Sequence, residues 1–134
     1  VRASAWVIVI GSALAASPLW ALWRLAADTI AAGFLEEGRN AGREAEARSL
    51  ALRIIRESGS PLNNPQVGYF TLSVPDDAGG SFVHTFRARG GCCRFYTVEG
   101  GELCKTCVLK PQAARDSDLR QAMRRHLGLP PMPA

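Results

Sequence analysis

Apolar side chains recur at steps of three and four residues over 18–36, where Leu19, Trp23, Ala26, Ile30 and Phe34 form one stripe. That spacing predicts an amphipathic helix, its face widened by Trp20 and Leu22 and its end marked by Gly38-Arg39-Asn40. A second helix is predicted over 42–57, with Ala47, Leu50, Ala51 and Ile54 inward and Arg43, Glu46 and Arg53 outward. On its outer face Glu44 precedes Arg48 by one helical turn, a weakly stabilising pair. Ser58-Gly59 supplies a stop, and 60–65 reads as a loop. The period then falls to two. Segments 69–74 and 81–86 are rich in aromatic and β-branched residues and flank a hairpin-sized turn, Pro75-Asp76-Asp77-Ala78-Gly79-Gly80. A last polar helix is expected over 116–126, closed by Gly128, with an extended, mobile tail from Pro130.

Residues 3–23 carry no charge. That length meets the ~18-residue threshold for a membrane span, and Arg2 with the small-residue run Ser12-Ala13-Leu14-Ala15-Ala16-Ser17 imitates a secretory signal. Ala, Gly and Ser contribute little transfer free energy, however. Ser17-Pro18 also reads as a cap followed by proline at a first helical position, which divides the stretch into two shorter helices. Buried core helices are therefore expected rather than an anchor. Trp6, Trp20 and Trp23 are assigned to that core.

The 134 residues suit one domain, and 47% hydrophobic against 21% charged excludes a disordered chain. Sixteen Lys and Arg against twelve Asp and Glu leave a net charge of +4, too diluted by acids for a nucleic-acid partner. The fold class is α+β: N-terminal helices, a small antiparallel hairpin, a cysteine-rich hairpin and a short C-terminal helix. We divide it as 1–89 for the helical and β-hairpin part, 90–111 for the cysteine motif, and 112–134 for the last helix and tail.

All four cysteines fall in that motif, Cys92-Cys93 and Cys104-Lys105-Thr106-Cys107, a C-C-x10-C-x2-C pattern. Disulfides fit poorly, because neighbouring cysteines strain the peptide between them and cross-bridges need an oxidising compartment. A tetrahedral zinc site accepts C-x-x-C as one half, but the vicinal pair diverges where zinc needs a wrapped turn. A [2Fe–2S] cluster takes two thiolates per iron across a wider rhomb. In the spacer, Phe95 and Val98 suit a short strand and Gly100-Gly101 a tight return. Arg87, Arg89, Arg94, Lys105 and Lys110 outnumber Glu99 and Glu102 there, and would favour the more negative reduced state of such a cluster. The glycine pairs on either side would leave the cluster edge thinly covered.

The segment Gly90-Gly91-Cys92-Cys93-Arg94-Phe95-Tyr96 through Cys104-Lys105-Thr106-Cys107-Val108-Leu109-Lys110-Pro111 resembles the C-terminal cluster motif of FhuF-type ferric-siderophore reductases. Upstream the likeness is looser, over residues 6–14 and the Ala-rich helices. The resemblance implies that Cys92, Cys93, Cys104 and Cys107 bind a [2Fe–2S] cluster, with no further catalytic group. It implies one-electron reduction of chelated Fe(III) to Fe(II), so that iron leaves a siderophore that binds Fe(II) far less well. A ferric siderophore is then the substrate, and a separate protein or diffusible reductant the electron donor. The implied location is cytoplasmic, with peripheral association at the inner membrane. Family members are longer at the N-terminus, so a chain beginning at Val1 resembles a C-terminal portion. It departs from the pattern at Gly90-Gly91, where the family has basic or hydroxyl residues, and in the helix after Pro111, which runs past the usual end.

Two other readings stay open: a zinc-stabilised binding module, and a [2Fe–2S] carrier or redox sensor without its own substrate. Phe95 and Tyr96 are expected to pack on the sheet rather than to shield the site, and His84 to be structural. Arg120, Arg124, Arg125 and His126 give the last helix a basic face, solvated by default and suited to an acidic redox partner as the alternative.

Overall fold

The computed structural model describes residues 4–133, with side chains from residue 19 onward, and Trp6 lies outside that side-chain range. The chain divides into two compact units at Pro65/Gln66.

The first unit is a pair of helices, α1 (Ser4–Asn40) and α2 (Glu44–Ile55). The expected division at Ser17-Pro18 is absent, because α1 is continuous through it. An internal proline removes one hydrogen bond and crowds one carbonyl, a local cost of ~3 kcal/mol that leaves the turns on either side intact. The buried stripe of α1 is Ala27, Asp28, Ala31, Leu35 and Gly38. It lies one residue on from the expected one, about 100° around the helix.

Trp20 is 60% exposed and Trp23 42%, so neither is core. The Arg24 guanidinium lies 4.1 Å above the Trp20 ring. On α2 the inward residues are Ala51 and Ile55, while Leu50 and Ile54 are exposed.

Small residues face each other where the two helices meet. A Cβ on Gly38 would stand 2.5 Å from the Ala47 methyl and 3.0 Å from the Glu44 Cα. Gly38 is therefore the contact point of the helices and not their break. The chain turns instead at Gly42, whose φ of +68° glycine adopts without strain. Arg39 and Glu44 pair across the turn at 3.2 Å, and the expected Glu44–Arg48 pair forms at 3.7 Å. Among the described residues no helix is long and apolar enough to cross a membrane.

The second unit opens with the expected hairpin, β1 (Gly68–Pro75) antiparallel to β2 (Ser81–Ala88). Asp76 organises its turn: its Oδ1 accepts from the N–H of Ala78 at 3.0 Å and of Gly80 at 2.7 Å. Phe70, Leu72 and Val74 pair with Phe86, His84 and Phe82, which puts all six on one face. Helix α3 (Gln112–His126) covers that face with Leu119 and Met123, making a core of Leu72, Val74, Leu119 and Met123.

His84 sits in this aromatic row, edge-on to Phe86 at 4.7 Å between ring centres, a packing role as expected. Helix α3 starts four residues earlier than its charge pattern suggests and stops at Gly128, φ +70°, as expected. The tail is not loose. Gln121 exchanges two hydrogen bonds with the Met132 backbone, Arg124 donates to the Pro130 carbonyl at 2.6 Å, and Leu129 is buried.

Candidate iron-sulfur site

Strand β2 delivers the chain to the cysteine segment. Gly90 and Gly91 follow it and are buried, so they back the site and do not expose its edge. The vicinal pair then turns sharply through Arg94, whose φ of +57° makes it the one described non-glycine residue in the left-handed region. That turn aims successive amides at sulfur. The Arg94 N–H donates to Cys92 Sγ at 3.4 Å, and the Phe95 N–H donates to Cys93 Sγ.

The expected strand at Phe95 and Val98 is instead a 3₁₀ turn, Phe95–Thr97. Thr97 explains the change: its backbone N–H and its hydroxyl both donate to the Arg94 carbonyl, at 2.9 Å and 2.8 Å. Local turn bonding outweighs β-propensity where no neighbouring strand offers a ladder. Val98 and Gly101 then close the return through Gly101 N–H to the Val98 carbonyl, with Gly100 at φ +73° as the sequence requires. Gly101 has no alternative, since a Cβ there would lie 1.9 Å from the Phe95 carbonyl oxygen. The C-x-x-C is a turn in its own right, Cys107 N–H donating to the Cys104 carbonyl at 3.0 Å.

These turns bring Cys92, Cys93, Cys104 and Cys107 onto the wall of one small cavity, shared with Arg89 and Arg94. All four are free thiols. Cys107 is buried, Cys92 and Cys104 are half-buried and Cys93 is exposed, so the cavity opens on the Cys93 side. Phe95 and Tyr96 border it there and are themselves 57% and 43% exposed, so they do not pack on the sheet.

The Phe95 N–H above all holds the Cys93 thiol below its ordinary range; desolvation opposes it as the next largest influence, and the charge and hydrogen bond of Arg89 add smaller pulls downward. Arg89 also donates from Nη1 to Cys104 Sγ at 3.2 Å. Sequence reasoning counted Arg89 as one base among five and missed this role. Its position at the end of a strand, three residues before the vicinal pair, was the available signal.

The donor set fits an iron–sulfur cluster. Four thiols come as two pairs on one cavity, already met by N–H donors that favour thiolate. Among the described residues no three Cys, His, Asp or Glu side chains converge closely enough to hold a single metal ion. On the basic face of α3, Arg125 and His126 are exposed, whereas Arg124 is committed to the tail.

Residues 89–109 match the family model described as the FhuF 2Fe-2S C-terminal domain. No curated protein and no solved structure matches the chain. Of the cysteine chemistries that the spacing left open, the match selects the cluster. Residues 89–109 are thus similar to a FhuF-type iron–sulfur domain, and the cofactor this indicates is a [2Fe–2S] cluster.

Proposed function

We propose that the protein is a ferric-chelate reductase, transferring one electron to siderophore-bound Fe(III). The supporting observation is a FhuF-type motif whose four thiols ring a cavity that opens to solvent at Cys93. Cys92, Cys93, Cys104 and Cys107 hold the cluster, which supplies reversible one-electron chemistry.

The chain's own residues supply the rest. Buried Gly90, Gly91 and Cys107 close the back of the site, while Cys93, Phe95 and Tyr96 leave its front accessible to a chelate too large to enter. Contact at that edge suffices, because outer-sphere transfer forms no bond to iron. With a reduced cluster held there as the source, the chelated Fe(III) would gain one electron, and the weaker grip of hard oxygen ligands on Fe(II) would then free the metal. A reductase of this kind draws its electron from a separate protein or diffusible reductant and works in the cytoplasm.

The test is to mix chemically reduced protein anaerobically with a ferric trihydroxamate and trap Fe(II) with a ferrous-specific chromophore. One ferrous ion per reduced cluster is expected, with Cys93→Ser showing neither the cluster spectrum nor the ferrous product. A reduced cluster that yields no ferrous product above that background would leave an electron carrier or redox sensor in place of a reductase.

A further inference from the structure

The cavity joins cysteines from two separate turns, and one side chain reaches both. Arg89 donates from Nη1 to Cys104 Sγ, in the C-x-x-C half, at 3.2 Å. The same guanidinium hydrogen-bonds Cys93, in the vicinal half, and acts on it through its charge. Its stem leaves the end of β2, a rigid attachment, and it also lines an open cleft of about 210 Å³ that has Cys107 on its wall. Two other bases nearby are committed elsewhere: Lys110 pairs with Asp118 at 2.5 Å, and Arg115 with Asp116 at 2.7 Å.

We propose that Arg89 is a positioning residue that bridges the two cysteine pairs and sets the reduction potential of the cluster through N–H···S bonds to one sulfur of each pair. The proposal rests on the four-cysteine ligation given above. The physics is that of a planar fork. A guanidinium offers several N–H donors in fixed directions, so one residue serves two sulfurs, whereas an ammonium presents a compact point charge. Each donor bond stabilises the more negative oxidation state more than the less negative one, which raises the potential. The effect is local and directional, so it differs from the general attraction of a nearby positive charge.

The experiment is a spectroelectrochemical titration of the cluster-loaded 134-residue chain, with iron content and the EPR spectrum of the reduced form recorded for each variant. Arg89→Gln is expected to lower the midpoint potential, with about a tenfold loss in the equilibrium constant for reduction, the size of one charge-assisted hydrogen bond. Arg89→Lys, which keeps the charge, is expected to fall between Arg89→Gln and the parent. Lys105→Gln is the control, since it removes the same charge from an exposed side chain inside the C-x-x-C. A shift for Arg89→Gln no larger than that for Lys105→Gln overturns the proposal, as does an Arg89→Lys protein with parental potential and spectrum. Should Arg89→Gln fail to retain iron, Arg89→Lys against Lys105→Gln decides. Potential is read without any ferric substrate, so failure here and failure of the reductase reading are separate results. Failure of the four-cysteine ligation on which the proposal rests would show instead as an unchanged cluster spectrum in Cys93→Ser.

Discussion

Cys93 shows how little of a site's chemistry lies in residue identity alone. The spacing marked it as one of four equivalent candidates, but the fold makes it the exposed one, with an amide and a guanidinium on its sulfur. Alkylation follows the thiolate fraction multiplied by access. In cluster-free protein, Cys93 is therefore expected to react with iodoacetamide before buried Cys107. Its rate should also rise at lower pH than that of free cysteine, because a depressed pKa leaves more thiolate at any pH below the ordinary value. Peptide mapping after timed alkylation across pH 6–9 (an interval spanning roughly the usual thiol range) checks both the order and the profile. Equal labelling of the two, or a Cys93 profile matching the free amino acid, would refute this. Nothing in the residues around Cys93 announced the difference, because it depends on Arg94 taking a left-handed conformation that its side chain does not favour.

At the scale of elements, the hairpin was fully legible and the helix pair only half so. Alternating residues in 69–74 and 81–86 have one buried face, and a period of two leaves only two choices of face. A helix offers a continuum of rotations, and ranking residues by size chose the wrong one. The stripe through Leu19, Trp23, Ile30 and Phe34 is the more apolar, yet the buried residues are Ala27, Ala31, Leu35, Ala51 and Ile55, and the helices approach so closely at Gly38 and Ala47 that small side chains are needed there.

That contact separates two glycines of the same helix. Gly33 has open space where a Cβ would go, so Gly33→Ala is expected to stabilise by about 0.5–1 kcal/mol through helix propensity. Gly38→Ala makes the same propensity gain, but its methyl would meet Ala47 Cβ at 2.5 Å and the α2 backbone at 3.0 Å. Overpacking of this kind costs about 1–3 kcal/mol. The balance is a net loss, read as opposite shifts of the two variants' urea midpoints at constant m-value.

On the scale of the whole molecule, the two units differ in what holds them. The first has its interhelical seam, with Ala27, Ala31, Leu35, Ala51 and Ile55 buried. The second builds its core from four buried side chains, Leu72, Val74, Leu119 and Met123, and its cysteine segment of about twenty residues has no regular element beyond a single 3₁₀ turn. Phe95, Val98 and Leu109 on that segment are each more than half exposed, so apolar burial contributes little to fixing it. A chain ordered by so few contacts must draw its stability from the ligand bonds to the cluster, because metal binding free energy is folding free energy where the loop is otherwise loose. Removing iron under reducing conditions is therefore expected to release amide protection across 89–110 and the adjoining ends of β2 and α3. The α1–α2 seam should keep its protection. Hydrogen exchange read by mass spectrometry on loaded and iron-stripped protein makes the comparison peptide by peptide. Uniform loss over both units would mean that the cluster holds the entire fold, and no change at 89–110 would mean that the turns around Arg94, Gly101 and Cys104 stand without it.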